Sequence, residues 1–200
     1  MCKIEYSKMI GQLEKLFDRL NKDIFGGELP RPILTIQTTK SKSILGWFTT
    51  WKAWQDKEKG GYYEINIVAD YLNRPQEEIT ETLLHEMVHL YNKEQSIQDC
   101  SRGGTYHNIK FKESAEKHFL EVTKSAKYGW AHTKGTEEFK RIISKYPKYE
   151  FMHRIEPESS GKKKQSSFRH ECKHCGLVAR TTKEFTLVCG ECGEAMTITA

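Results

Sequence analysis

The sequence of 200 residues lacks the hydrophobic stretches that place a protein in a membrane or send it out of the cell. No apolar run approaches the roughly 18 residues of a membrane span, and residues 1–20 lack the uninterrupted apolar stretch of a secretion signal. Internal repeats are also absent. We therefore expect a cytoplasmic protein without membrane partners, in which cysteines stay reduced.

Apolar residues are nevertheless abundant enough to form a core. They make up 37% of the chain, including nine Phe, nine Tyr and four Trp, whereas chains too polar to fold carry far fewer. The length suits one domain with a small addition. We therefore exclude a protein that is disordered throughout.

Positive charge is concentrated in one part of the chain. Residues 1–138 hold 20 basic and 20 acidic residues, residues 139–183 hold 12 and 4, and residues 184–200 hold 0 and 3. The local excess of +8 predicts attraction to a polyanion, and nucleic acid is the expected one. The alternative interpretation is a solvated linker with no partner.

The spacing of apolar residues predicts an α+β fold. The predicted helices cover residues 4–24, 73–94, a segment bearing Ile109, Phe111, Ala115, Phe119 and Val122, and a short segment after Thr136. The run over residues 33–38 predicts a strand, and the alternation of apolar with polar residues over 63–67 predicts a second, half-buried strand. We expect residues 33–68 to form a small, largely antiparallel sheet on which the helices pack.

The second predicted helix contains the segment His85-Glu86-Met87-Val88-His89, which has the form H-E-x-x-H. Residues four apart lie on one face of a helix, so both imidazoles can reach a single zinc ion. Glu86 lies beside them and can take a proton from water as a general base. About 0.03 such matches are expected by chance in a chain with this His and Glu content, so two unrelated surface histidines are a poor explanation.

A catalytic zinc ion needs a third protein ligand and an open position. The metzincin pattern is excluded, because Asn92 and Gln95 stand where it requires Gly and His. The remaining candidates are His107, His118, Glu113 and Glu116. We favour His107 because it follows the flexible Gly103-Gly104 turn near the start of the third helix, whereas His118 suits a helix face.

Four of the six cysteines form two C-x-x-C pairs separated by 13 residues. These residues are Cys172, Cys175, Cys189 and Cys192. Two knuckles that supply four thiolates are typical of a structural zinc ribbon, and a redox role for one pair is the alternative. We predict a main domain over residues 1–150, a basic flexible linker over 151–168 and a four-cysteine zinc ribbon over 169–200, with two zinc ions in all, one catalytic and one structural.

Basic residues adjoin the predicted ribbon. They are Lys162, Lys163, Lys164, Arg169 and Lys173. Contacts from Lys and Arg to phosphates provide the sequence-independent part of nucleic-acid binding. We therefore predict that these five residues bind DNA, and we expect His170 and His174 to be exposed rather than to bind metal.

Several segments resemble the SprT-like zinc metalloproteases, the family related to Spartan. The matching segments are residues 16–21 with 25–30, 63–67, 84–89, and 106–108 with Phe111. The resemblance implies a zincin-like fold, zinc ligands at His85, His89 and His107, a catalytic Glu86, and proteolysis of proteins attached to DNA, as in DNA–protein crosslink repair. Asn108 stands where such proteins usually have Gly.

Together, these features predict a zinc-dependent endopeptidase of the HExxH type that acts on DNA-associated proteins, in the cytoplasm or at the nucleoid. The zinc ribbon and the basic linker would bind the DNA. The alternative is a DNA-binding or transcription-associated zinc protein whose zincin site is weak or unused. The presence of Glu86 distinguishes the endopeptidase from the DNA-binding alternative, because a protein that only binds DNA has no need for a base at this position.

Overall fold

The computed structural model describes residues 6–58, 60–155 and 167–199. The chain divides into two compact units, Met1–Ile155 and Glu156–Ala200. The elements described in the first unit are α1 (Tyr6–Phe25), β1 (Ile33–Gln37), β2 (Gly46–Phe48), β3 (Trp54–Asp56), β4 (Gly60–Tyr62), β5 (Glu64–Val68), a 3-10 helix (Ala69–Tyr71), α2 (Gln76–Glu94), β6 (Cys100–Ser101), β7 (Tyr106–His107), α3 (Ile109–Lys117), β8 (Leu120–Ser125), β9 (Gly129–Gly135) and α4 (Glu137–Ile143). Those of the second unit are β10 (Phe168–Glu171), β11 (Val178–Thr181) and β12 (Thr197–Thr199). None of the helices within these described ranges is long and apolar enough to cross a bilayer.

The strands before α2 form two small sheets rather than one. The central strand β5 pairs parallel with β1 and antiparallel with β2, while β3 and β4 form a separate antiparallel pair. The prediction of a largely antiparallel sheet over residues 33–68 is therefore wrong for its longest pairing. Residues 38–63 form the long connection that parallel strands require, and this connection brings β5 in beside β1 in the same direction.

A single apolar cluster joins α1, α2 and the first sheet. Its fully buried members include Leu13, Leu16, Phe17 and Leu20 of α1, Ile65 and Ile67 of β5, and Leu83, Leu84 and Met87 of α2. Every residue of β5 is buried, although alternation predicted a half-buried strand. This packing holds one face of α2 against β5. The opposite face of α2 therefore bears the polar side chains.

The third helix is shorter than apolar spacing predicted. It ends at Lys117, because Phe119 takes a left-handed conformation with φ of 67° that a helix cannot continue through. Leu120 and Val122 are then buried as alternate residues of β8. That strand pairs with β9 in a four-stranded sheet of order β6-β7-β9-β8.

The second unit is a three-stranded antiparallel sheet with β10 at its centre. Its small core consists of Cys172, Cys189 and Met196, with Ala179 and Leu187 packed against them. The described residues therefore form a mixed α+β protein. The domain boundaries at residues 150 and 168 stay a prediction.

Candidate metal centre

Helix α2 places the two histidines of the H-E-x-x-H segment one turn apart. The ring centroids of His85 and His89 are 5.0 Å apart, with the rings nearly perpendicular. The opposite side of the helix bears Leu83, Leu84 and Met87 in the core. Core packing therefore orients the polar side of α2 toward the strands and turns that follow it.

His107 joins the pair from β7, just before α3. Its Nε2 lies 3.2 Å from Nε2 of His85 and 3.1 Å from Nε2 of His89. Three nitrogens at 2.0–2.1 Å from one tetrahedral ion would lie about 3.3 Å apart. The donor set therefore fits zinc, and the structure brings together the three histidines that the sequence suggested.

The buried ring of Phe111 packs against all three imidazoles. Its centroid lies 4.7 Å from that of His85 and 4.6 Å from those of His89 and His107. Asn108 precedes α3 as its N-cap and accepts hydrogen bonds from the backbone N–H groups of Lys110 and Phe111. The cap and the first turn of α3 thus provide a rigid apolar support behind the histidines.

Carboxylate and hydroxyl groups bind the outer nitrogens of two of these rings. Nδ1 of His89 donates to Asp99 Oδ2 at 2.6 Å, and Nδ1 of His85 lies 3.1 Å from Thr133 Oγ1. Asn92 donates to Asp99 at 3.0 Å and accepts from Ser114 at 2.6 Å. Such partners fix the tautomer of a ligand and turn the other nitrogen toward the metal.

The electrostatics of the three rings differ. Burial and the neighbouring His89 and His107 hold the pKa of His85 well below its ordinary value. Burial, with His89, lowers the pKa of His107 to about 4. Although burial lowers the pKa of His89, its hydrogen bonds to Asp99 and Cys100 raise it overall. Two of the imidazoles are thus neutral at pH 7, the form that binds metal.

Glu86 is buried beside the histidines, with only 6% of its surface exposed. Burial raises its pKa to about 7, with Asp99 adding to the rise and His89 opposing it. Gly46 of β2 passes so close that a Cβ there would lie 3.2 Å from Glu86 Oε1 and 2.8 Å from the Asn66 carbonyl oxygen. The absence of a side chain at Gly46 therefore leaves room for this carboxylate.

The other candidates for the third ligand lie elsewhere. His118 is buried between Phe25 and Tyr91, at ring-centroid distances of 4.4 and 4.6 Å, and its Nδ1 donates to the Ser114 carbonyl. Glu113 and Glu116 are exposed on α3. Within the described ranges, no group of potential ligands includes any of these three residues.

The sequence did not predict the residues that surround and orient the histidines and Glu86. Asp99 and Thr133 contact the histidines, yet Asp99 lies in a polar segment without periodic spacing and Thr133 in a strand that was not predicted. Gly46 carried no signal either, because the close approach of β2 to Glu86 is a tertiary contact. A further potential metal-binding group consists of His89, Asp99 and Cys100 and overlaps the first.

The four paired cysteines meet in the second unit. Sγ of Cys172 lies 3.4 Å from that of Cys192, and Sγ of Cys175 lies 3.5 Å from that of Cys189. All four sulfur atoms lie within 4.8 Å of one another, and none is in a disulfide. Four sulfurs at 2.3 Å from a tetrahedral zinc ion would lie about 3.8 Å apart, so this donor set also fits zinc.

Two equivalent turns position these cysteines. The N–H of Gly176 donates to the Cys172 carbonyl and that of Gly193 donates to the Cys189 carbonyl, both at 2.9 Å. Both glycines have positive φ, 75° and 72°, which side chains other than Gly rarely adopt. Gly190 lies in the second turn as well, but without a positive φ.

The predicted DNA contacts are only partly described. Lys162, Lys163 and Lys164 lie outside the described residues, and Lys173 is exposed. Arg169 donates to Glu171 at 2.6 Å and to Thr199 at 2.9 Å, so its charge is paired. His170 is fully buried and lies 2.9 Å from Thr181 Oγ1, which corrects the expectation that it is exposed.

Comparison with known proteins gives one family. The model of the SprT-like family matches residues 13–126, a span that includes the three histidines and Glu86 but not the four paired cysteines. Neither the curated proteins nor the solved structures give a match.

Proposed function

This chain belongs to the SprT-like family, and from that premise we propose that it is a zinc-dependent endopeptidase acting on proteins bound to DNA. The family indicates a metallopeptidase-type function. The more specific proposal of a zinc-dependent endopeptidase rests on the three histidine Nε2 atoms that lie together beside the buried carboxylate of Glu86. A protein that only bound DNA would need neither the three open nitrogens nor Glu86.

His85, His89 and His107 would hold the zinc ion through Nε2. When bound, zinc supplies a Lewis acid that polarises the scissile carbonyl and makes water more acidic. The carboxylate of Glu86 accepts the proton of the attacking water and passes it to the nitrogen of the leaving amine. Asp99 holds the proton on Nδ1 of His89, so Nε2 is the nitrogen that gives up its proton to the metal.

The four cysteines would hold a second zinc ion with a structural role. The small apolar core of the second unit, three buried residues among those described, supports this role because a module of this size seldom folds without a metal ion. We propose that the ribbon and the basic segment before it bind DNA. Because the described ribbon holds 4 basic and 4 acidic residues between 167 and 199, the proposal depends on Lys162, Lys163 and Lys164.

The proposal is tested with the zinc-loaded protein and a protein substrate bound to DNA. We expect cleavage that stops when a chelator removes zinc. Replacing Lys162, Lys163 and Lys164 with Ala should weaken DNA affinity for all sequences alike and reduce the slope of log affinity against log salt by up to about 3 units. Cleavage of the DNA-bound protein should fall with the affinity, because tethering raises its local concentration.

Two results would count against the proposal. Absence of cleavage in every condition would favour the alternative of a DNA-binding zinc protein without protease activity. An unchanged salt slope in the triple variant would leave the protease intact but remove the DNA-tethering role of this segment.

A further inference from the structure

A cavity of about 450 Å³ lies beside the proposed metal centre, with His89 and Asp99 as part of its lining. Its volume is within the range of roughly 300–1,000 Å³ that is usual for sites that bind small ligands. No step of the proposed reaction uses this space, which we call the His89 cavity. A group bound in it would lie next to a proposed zinc ligand.

The first wall of the His89 cavity is the end of β2, with Phe48 and the nearby Thr50. Thr49 between them is held on β5, because its N–H donates to the Glu64 carbonyl at 2.9 Å and its Oγ1 accepts from the Glu64 N–H at 2.8 Å. The buried carboxylate of Glu64 also accepts from Nε1 of Trp54 at 2.5 Å. Both ends of the segment 49–54 are therefore fixed to one residue.

The second wall is the turn after α2, residues 96–99. At its start, the N–H of Ile97 donates to the Asn92 carbonyl at 2.7 Å. At its end, the Asp99 carbonyl accepts from the N–H of Asn108, the N-cap of α3, at 2.9 Å. Because backbone contacts hold both walls, the His89 cavity is formed before a ligand arrives.

Each wall contributes an apolar side chain, and the lining includes one cation without an ionic partner. Phe48 and Ile97 are half-buried and lie on opposite walls. The Asp99 carboxylate already accepts two hydrogen bonds from neighbouring side chains. Lys93 is exposed where it lines the cavity, and none of the ion pairs among the described residues includes it. An apolar group therefore suits this space better than a cation does.

We propose that the His89 cavity binds an apolar or aromatic side chain of the substrate near the scissile bond, and that Lys93 disfavours Lys and Arg at that position. The inference rests on the proposed protease function and adds a selectivity to it. An apolar side chain would be removed from water between Phe48 and Ile97. A cationic side chain would meet the ammonium group of Lys93 and find no free carboxylate to pair with.

The test measures binding separately from cleavage, on the zinc-loaded full-length protein. The probes are dipeptide hydroxamates, whose hydroxamate group binds the zinc ion at the three histidines and whose varied residue, at either position, is Phe, Ala or Lys. The four-cysteine site has no open position for them. Affinities are measured by isothermal titration calorimetry. At one position we expect the Phe probe to bind at least about tenfold more tightly than the Ala probe, because it buries more apolar surface, and the Lys probe to bind no more tightly than the Ala probe.

Two Phe variants test the apolar wall. Phe48→Ala should bring the affinities of the Phe and Ala probes to within about threefold of each other, since the wall that covers the ring is lost. Phe151→Ala is the matched control, because Phe151 is also half-buried against the core but does not line the cavity. It should leave the ratio of the two affinities unchanged. The ratio is insensitive to zinc content, because both probes need the ion.

A charge reversal tests Lys93 through a gain of affinity, which damage to the fold does not produce. Lys93→Glu should raise the affinity for the Lys probe relative to the Ala probe at least about threefold, because a repulsion becomes an attraction. Lys15→Glu makes the same change at an exposed position of α1 and should leave this ratio unaltered.

Equal affinities for the Phe and Ala probes at both positions would overturn the inference. So would a similar change of their ratio in Phe48→Ala and Phe151→Ala. An unaltered Lys-to-Ala ratio in Lys93→Glu would overturn the role of Lys93. Cleavage of peptides that contain Phe, Ala or Lys is measured in parallel. Selective binding without any cleavage would retain the cavity and refute the protease proposal, whereas cleavage without selective binding would do the reverse.

Discussion

Asp99 accepts a 2.6 Å hydrogen bond from Nδ1 of His89, and this contact turns Nε2 of the imidazole toward His85 and His107. The carboxylate is itself held by Asn92 at 3.0 Å. Asn92 occupies one of the two positions at which the sequence departs from the metzincin pattern, which requires Gly there. Its side chain holds the Asp99 carboxylate that supports the site.

Replacing Asp99 with Asn should weaken zinc binding by about 10- to 100-fold, because the charged partner of a ligating histidine is lost. The affinity is measured by competition with a chromophoric chelator. Asp18→Asn removes the same charge from the surface of α1 and should have no effect. Equal affinities in the two variants would show that Asp99 does not support the metal centre.

Phe111 and Phe139 form a matched pair for testing the support behind the histidines. Both are fully buried, so changing either to Ala should lower the free energy of unfolding by about 3–5 kcal/mol. Only Phe111 contacts the three imidazoles, so Phe111→Leu should reduce zinc affinity more than Phe139→Leu does. Urea unfolding and chelator competition give the two quantities, and a similar loss of affinity in both would indicate a general effect of instability.

His107→Ala should reduce zinc occupancy of the first site, since its Nε2 completes the set of three nitrogens. His118→Ala should keep the zinc ion and lower stability instead, because His118 packs between Phe25 and Tyr91. Metal analysis after dialysis distinguishes the two. The opposite pattern would make His118 the third ligand.

The two ligand sets should each hold one zinc ion. Replacing Cys175 and Cys192 with Ala should reduce the metal content from two ions per chain to one, while the three histidines keep their ion. Total zinc is measured by mass spectrometry on the dialysed protein. An unchanged stoichiometry would contradict the assignment of the four cysteines to a zinc ribbon.

The parts of this site that the sequence predicts are local. Histidines four apart share a helix face, and C-x-x-C pairs form knuckles, whatever the rest of the chain does. The contacts of Asp99, Thr133 and Gly46 depend on tertiary packing that no short pattern encodes. Ala115, Phe119 and Val122 continue a spacing of four and three residues that predicts helix as far as Val122, whereas the left-handed backbone of Phe119 ends the helix. Because the sequence does not show this end, it does not predict β8 or β9 either.

The most direct test of the central claim compares the unmodified protein with Glu86→Gln. Zinc content and cleavage of a DNA-bound protein are measured on the same samples, with Glu77→Gln, at the exposed start of α2, as the control. We expect Glu86→Gln to retain its zinc and its cleavage to fall by at least about 10²-fold, because the general base is lost, while Glu77→Gln is unaffected. Full cleavage by a zinc-loaded Glu86→Gln protein would contradict the role of Glu86 as the general base.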